Sequence, residues 1–384
     1  MDTLFYDIFL SELILDGVIS PRVMKGMLEQ GWINSVREIC SSGEWVSKAA
    51  ETGKMAEFKI LRAAIKDSKR KEKAKRLAEA GQNSGMFSIS LGDDDYPDRF
   101  KKLTGMPITL YGLGDRELIS GEGRTSVAVV GTREPSSYGV RVTIQIVQEL
   151  CRHPLCIVSG LARGIDTKAH QTALDTGGKT VAVLANGLDR VYPTENTKLF
   201  EEIKQTGCVL SELPPGRAPV RQFFPARNRI LSALSDAVAI IEAGEKSGTL
   251  HTAAFAAAQG REVFAVPGNI YSSKSKGSLK LIQDGAQPLL TAENILFYLA
   301  DIRFIREMDQ IRNMTESSGN LSPDLSEELQ KVWIMDTLEA EHMSVESLVE
   351  VMGVSFSKLA LLLTELELSG KIVEQDGKYM VIGG

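Results

Sequence analysis

Residues Val127 to Gly139 read VAVVGTREPSSYG. An apolar, β-branched run that empties into a glycine and then polar residues has the pattern of a strand ending in a phosphate-binding turn. The dinucleotide form of that turn, G-x-G-x-x-G, is missing: Gly131 is followed by Thr132 and Arg133, and the next glycine is Gly139. A buried pyrophosphate needs bare backbone at its closest approach. A guanidinium at that place suits an anion lying across the rim, such as a polynucleotide backbone. The competing use of Arg133 is to pair with a carboxylate and hold the loop.

Five more apolar runs behave alike. CIVS opens into Gly160-Leu161-Ala162-Arg163-Gly164, and TVAVL into Ala185-Asn186-Gly187. CVLS opens into Glu212-Leu213-Pro214-Pro215-Gly216. AVAII opens into Glu242-Ala243-Gly244 and then Lys246-Ser247-Gly248-Thr249, and EVFAV into Pro267-Gly268-Asn269. In an open parallel sheet, ligands bind beyond the carboxyl ends of the strands. Glycines there let backbone N–H groups approach an anion. Helices starting at Ser137, Asp166 and Ser247 would aim their positive ends into the same crevice, with Asp166 expected to cap its helix. Arg133, Arg163 and Lys246 add full charges.

A second stretch, PVRQFFPARNRILSALSD, interleaves cations and rings. Arg221, Arg227 and Arg229 bracket Phe223 and Phe224. Single-stranded nucleic acid needs this mixture: arginines hold phosphates, and an exposed ring stacks on a base for about 1–3 kcal/mol. One phenylalanine is expected in the core and the other as a platform. Asn228 is expected to orient the loop.

Groups for catalysis are scarce. His153 and His342 have no evident partners, and His170 and His251 read as structural. There is no G-x-S-x-G elbow, H-E-x-x-H pair or Walker lysine. The nearest enzymatic likeness is to nucleoside-monophosphate phosphoribohydrolases, with P-G-G-x-G-T-x-x-E after a comparable strand. Here Gly248-Thr249 are followed by Leu250, His251 and Thr252, without the acid–base carboxylate. A nucleotide-binding or phosphoribohydrolase-like enzyme is therefore the alternative reading.

The elements that position these residues can be read around them. Alternating strands and helices from Ser126 to about Leu299 imply an α/β Rossmann-like core with a parallel sheet. At 384 residues the chain is long enough for two or three domains. Residues 1–75 read as an N-terminal helical domain of SAM or helix-hairpin-helix type, and 76–123 as an extension of the core with ITLYGLG as a short strand. Residues 124–300 are the core and 301–321 a polar linker. Residues 322–384 read as three helices and a hairpin about Asp376-Gly377, a winged helix. The basic segment KILRAAIKDSKRKEKAKRLAEA reads either as a solvated linker helix or as a DNA-touching arm.

Composition is that of a soluble globular protein, 43% hydrophobic and 24% charged, and no apolar run is long enough to cross a membrane. Cys40, Cys151, Cys156 and Cys208 form no C-x-x-C pair, which fits a reducing cytoplasm and no zinc site. The net charge of −6 hides an asymmetry. Residues 124–293 hold 19 Lys and Arg against 15 Asp and Glu, a local +4, which leaves −10 for the rest. Residues 322–384 hold 12 Asp and Glu against 4 Lys. A wing that grips duplex DNA should be basic. This one is expected to bind protein or to mask the basic face of the core.

Residues from about 90 to 295 resemble the DprA/Smf family of bacterial DNA-processing proteins. The matching motifs are VVGTREPSSYG, SGLARGIDTKAH, GLDRVYP, SELPPG, FPARNRILSALSD, SGTLHTA, AVPGN and LIQDGA, in family order. The resemblance implies a dimeric, non-enzymatic, cofactor-free protein of the cytoplasm. It would bind single-stranded DNA without strong sequence preference, protect it, and help load the recombinase RecA in natural transformation or recombination. It implies Arg133 as a main phosphate contact, and Arg227 and Phe224 through the F-P-x-R-N-R motif. The segment KGSLKLIQDGA, with Leu279, Ile282 and Gln283, is implied in self-association and RecA contact. Thr194 stands where some members carry a lysine, and Lys198, one helical turn later, is the expected substitute. The DNA-binding set expected overall is Gly131, Thr132, Arg133, Arg163, Lys198, Arg221, Phe224, Arg227, Asn228, Arg229, Lys246, Ser247, Gly248 and Thr249.

Overall fold

The computed structural model describes residues 3–41, 44–51, 55–120, 125–300 and, with short gaps, 330–381. The chain divides into two compact units, Met1–Leu296 and Phe297–Gly384. The expected 301–321 linker lies outside the described residues, as do residues 121–124.

All six apolar runs of the core form strands: β3 (Thr125–Val130), β4 (Leu155–Ser159), β5 (Lys179–Leu184), β6 (Cys208–Ser211), β7 (Ala237–Ile240) and β8 (Glu262–Ala265). β1 (Phe87–Ser90), β2 (Thr109–Gly114) and a two-residue β9 (Gln287–Pro288) complete a nine-stranded sheet of order β1-β2-β6-β5-β4-β3-β7-β8-β9. From β6 to β9 the pairings are parallel. β2 is the short strand expected at ITLYGLG, and β1 was not expected. They add antiparallel to β6 and cover an edge that would otherwise expose unpaired backbone.

The strands are apolar throughout because both faces are buried. Ala182 and Leu184 enter one cluster and Val181 and Val183 the other, the two-residue alternation of a pleated strand. On the second face pack α12 (Phe223–Leu234), α13 (Thr249–Ala258) and α14 (Lys276–Gln283). On the first lie α10 (Ile165–Asp175), α11 (Thr197–Thr206) and the N-terminal helices, with α9 (Ser137–Leu150) against α10. Two single turns, α7 (Asp98–Lys101) and α8 (Glu117–Ser120), flank β2.

The N-terminal helices are α1 (Thr3–Leu15), α2 (Pro21–Glu29), α3 (Glu38–Ser41), α4 (Glu44–Glu51), α5 (Met55–Ile65) and α6 (Ser68–Asn83). A buried carboxylate ties them to the sheet. Asp7 accepts from the Arg37 guanidinium at 2.8 Å and from the hydroxyls of Ser88 and Ser90 at 2.6 and 2.7 Å. Tyr111 of β2 donates to the Asp7 carbonyl at 2.8 Å. The basic segment breaks at Asp67, whose side chain accepts the N–H of Lys69 at 2.9 Å and caps α6. α6 then runs to Asn83 because Ala74, Ala78 and Gly81 supply a narrow buried face.

In the second unit, α15 (Val345–Met352), α16 (Phe356–Leu368) and the hairpin β10 (Ile372–Gln375) and β11 (Lys378–Val381) surround a core of Leu348, Leu359, Leu362, Leu363 and Ile372. The pairing of Gln375 with Lys378 leaves a two-residue turn, and Gly377 takes φ +77° there. The first expected helix lies partly outside the described residues, but its Ile334 and Leu338 are core.

Candidate nucleic-acid interface

From β3 the chain moves outward through β4, β5 and β6, then returns to place β7 on the other side of β3. The strand order thus reverses between β3 and β7, which opens a crevice at their carboxyl ends. A cleft of about 780 Å³ lies at that place. It is lined by Gly131–Arg133, by Arg221, Phe224, Arg227 and Asn228, and by Lys246–Thr249, with Asp166, Tyr192 and His251.

Its walls are held by close backbone approaches. At Gly131 a Cβ would stand 2.6 Å from Ile165, and at Gly164, with φ +80°, 2.4 Å from the Thr132 carbonyl. Glycine is therefore required where the β3 and β4 loops touch. Glu242, buried at the end of β7, accepts the Ser136 N–H at 2.8 Å and its hydroxyl at 2.7 Å, fixing the start of α9. α13 begins after Gly248, with the Ser247 hydroxyl accepting the Thr249 N–H at 3.2 Å, and this positive helix end lines the cleft.

Asp166 is not a helix cap. The N-cap of α10 is Gly164, and Asp166 lies in the first turn with its carboxylate turned back to accept the Gly160 N–H at 3.1 Å. Burial pushes its pKa up to about 6, against the pull of Arg227 and of the N–H groups of Ala162, Gly160 and Gly131.

The expected cations divide into two groups. Arg133, Arg221 and Lys246 are exposed and line the cleft, and among the described residues none of them is in a salt bridge. The others are engaged. Arg227 is 5% exposed, and its guanidinium donates to the carbonyls of Gly160, at 2.8 Å, and Val183. It forms the cleft floor and ties β4 to β5 rather than reaching out for phosphate. Burial lowers its pKa to about 10, opposed by Asp166. Arg229 is outside the lining and pairs with Glu212. Arg163 pairs with Glu195 at the exposed rim, and Lys198, 92% exposed, lies 3.5 Å from Glu202 and outside the cleft.

The two phenylalanines separate. Phe224 lines the cleft and Phe223 does not. The Arg133 guanidinium lies 5.3 Å from the centre of the Phe224 ring, a cation–π distance. Tyr192, 41% exposed, meets the same ring edge-on at 5.6 Å. Sequence reasoning missed Tyr192 because its ring comes from the β5 loop and meets Phe224 only through the fold. Asn228 donates to the Gly248 carbonyl at 3.4 Å and accepts from Arg227 at 3.2 Å, which orients the floor as expected. His170 is fully buried, with Nδ1 2.7 Å from the Thr180 hydroxyl, and burial pushes its pKa down to about 3. His251 is exposed on the cleft wall.

Away from the cleft, Leu279 and Ile282 are half-buried and Gln283 exposed on α14. Ile270, Tyr271 and Leu290, in segments flanking β8 and β9 at this end of the sheet, are 67–87% exposed. Among the described residues no three His, Cys, Asp or Glu are grouped to hold a metal, and no helix is long and apolar enough to cross a membrane.

Residues 87–300 match the family model of DNA recombination-mediator protein A, and residues 317–378 match the DprA winged helix domain. The DNA processing protein DprA of Bacillus subtilis is 41% identical over 223 residues, 58% of this chain and 74% of that protein. Protein Smf of Synechocystis is 35% identical over 325 residues, 78% of this chain and 81% of that one. The structure of Streptococcus pneumoniae DNA processing protein A superposes with a TM-score of 0.57 at 33% identity, covering 72% of this chain and 97% of its own. Helicobacter pylori DNA processing protein A, whose structure describes a single-stranded DNA binding mode, superposes at 0.51 with 34% identity, covering 56% and 96%. A cleft at the switch point, the motifs around it and the winged helix beyond thus lead to one conclusion: this chain belongs to the DprA/Smf family of DNA recombination-mediator proteins.

Proposed function

We propose that the chain binds single-stranded DNA along the β3–β7 cleft, without strong sequence preference. The observation that carries this is the meeting of Arg133, Phe224 and Tyr192 in a cleft also lined by Lys246 and the N-terminus of α13. A guanidinium and two rings provide stacking for any base, and the cations and helix end provide phosphate contacts. The Helicobacter pylori relative's single-stranded DNA binding supports the reading. Of the expected backbone cradle, the N–H groups of Gly131, Thr132, Ser247 and Thr249 donate within the protein, to Asp166, Glu242, Gly244 and Ser247, which leaves Gly248 as its open position, with Arg163 able to exchange Glu195 for a phosphate.

On the same reading, the protein acts without chemistry of its own in the cytoplasm. It shields incoming strands and passes them to the recombinase RecA in transformation or recombination. Self-association through Leu279, Ile282 and Gln283 is supported by the exposed apolar residues of neighbouring segments.

The test is a salt-dependent titration comparing single-stranded with duplex DNA. Tighter single-strand binding that weakens steeply with salt is expected, and equal or absent binding overturns the reading. The volume of the cleft also lies in the range of small-ligand sites, which keeps a nucleotide-hydrolysing reading testable. Free adenine released from AMP would establish that alternative.

A further inference from the structure

The helix α6 carries six cations, Lys69, Arg70, Lys71, Lys73, Lys75 and Arg76, against Glu72 and Glu79. Its buried face is Ala74, Ala78 and Gly81, so the charges are outside. Lys69, Lys73 and Arg76 stand at i, i+4 and i+7, one row along the exposed side. Two of the six are used in holding the helix. Lys73 bonds Glu12 at 2.7 Å, and Arg70 pairs with Asp16 and Asp67. Lys69, Lys71, Lys75 and Arg76 are exposed, and among the described residues none of them is in a salt bridge.

The location of this row gives it meaning. Glu12, which holds Lys73, also accepts from Arg217 of the β6–α12 loop at 3.0 Å. Leu77 of α6 packs against Gly216 of that loop, 3.5 Å from where a Cβ would stand. The same loop then runs through Pro219 to Arg221, both on the cleft rim. Arg221 is five residue steps from Gly216, a reach of at most about 18 Å even if fully extended. The basic row is therefore anchored beside the segment that forms one lip of the cleft. A solvated linker helix would need no such anchoring, and a charge row in isolation would have no ligand to point to.

We infer that α6 is a second, outer stretch of the polynucleotide track, which takes the sugar-phosphate backbone of a single strand as it leaves the cleft past Arg221. The inference rests on the cleft reading, since it concerns where a bound strand continues. α6 itself carries no aromatic residue, so it contributes phosphate contacts without stacking.

The experiment uses the full chain and the variant K69Q/R76Q, which leaves Lys73 on Glu12. Binding is measured against salt for oligo(dT) of about six nucleotides, short enough for one module, and for one several times longer. The short oligomer should bind wild type and variant alike, which also shows that the variant is folded. The long one should bind the variant about five- to tenfold more weakly at low salt. Its log–log salt slope should fall by about 1.4, from two lost contacts at ~0.7 each. If the wild type fails to bind the short oligomer, the cleft reading falls. If the short oligomer binds but the long one gains nothing in the wild type, or loses nothing in the variant, the α6 track is overturned and the cleft stands.

Discussion

The guanidinium of Arg133 stacks at 5.3 Å on the ring of Phe224, joining the end of the first core strand to a helix some ninety residues later. This one contact explains why an arginine can stand two residues after Gly131 in a turn built for phosphate. The side chain is held over an aromatic face with its outer N–H groups open to the cleft, and no carboxylate among the described residues claims it.

Replacing Arg133 by Ala should weaken binding to all single-stranded sequences about equally. The salt slope should flatten by about 0.7, the loss of one phosphate contact. A titration series against salt reads both, and an unchanged slope removes Arg133 from the interface.

Phe224→Ala should weaken single-strand binding by about 1–3 kcal/mol, roughly five- to 150-fold, through lost stacking. Tyr192→Ala should fall in the same range, with little change in salt slope in either case. Fluorescence anisotropy with labelled oligo(dT) distinguishes this signature from the charge effect of Arg133→Ala.

Arg227→Met should show mainly as instability. It removes the donor to the carbonyls of Gly160 and Val183, and each buried acceptor left unpaired costs about 1–3 kcal/mol. Thermal unfolding should report a lowered Tm. Arg227 would be a direct phosphate contact instead if the variant melted like wild type and had lost DNA.

His170 makes stability depend on pH. Its folded pKa of about 3 lies below the ordinary 6.5, so the unfolded chain binds the extra proton and stability falls as pH drops from about 6.5 towards 3. Asp166 acts oppositely: with a folded pKa of about 6, the native state holds the proton more tightly and gains stability as pH falls from about 6 to 4. The histidine shift is the larger, so net acid destabilisation is expected. Denaturant unfolding at pH 7.5 and 5 measures it, and His170→Gln should reduce or reverse the difference.

Asp7→Ala should destabilise unit 1 by about 1–3 kcal/mol, because it removes one of the two carboxylates on the partly buried Arg37 and leaves the buried Ser88 hydroxyl without its acceptor. Melting of the full chain and protease cutting between α1 and β1 report it. A variant as stable as wild type would mean that Arg37 is adequately held by Asp93 alone.

Much of the core could be read from local pattern. Runs such as VAVV and TVAVL are apolar on both faces, and the glycine-rich turns after them state where the backbone must bend or come close. That is enough to place six strands in a parallel sheet with a common rim of loops, though not their order in the sheet. β1 and β9 escaped because four residues and two carry no readable period. Tyr192, too, has no local signal, since its partner Phe224 lies on another element.

Local pattern and composition are enough for the inventory: an α/β sheet, loops able to cradle anions, and arginines and rings enough for a polynucleotide. Which of those cations are available depends on how the chain folds. Arg227, Arg229 and Arg163 are engaged by groups distant in the chain, the carbonyls of Gly160 and Val183 and the carboxylates of Glu212 and Glu195. The physical reason is that a charge is free or engaged according to the atoms within a few ångströms of it, and chain order does not record those neighbours. The same holds for α6, whose cations read either as a solvated linker or as a DNA-touching arm, and which Glu12, Arg217 and Leu77 tie to the loop that leads to Arg221.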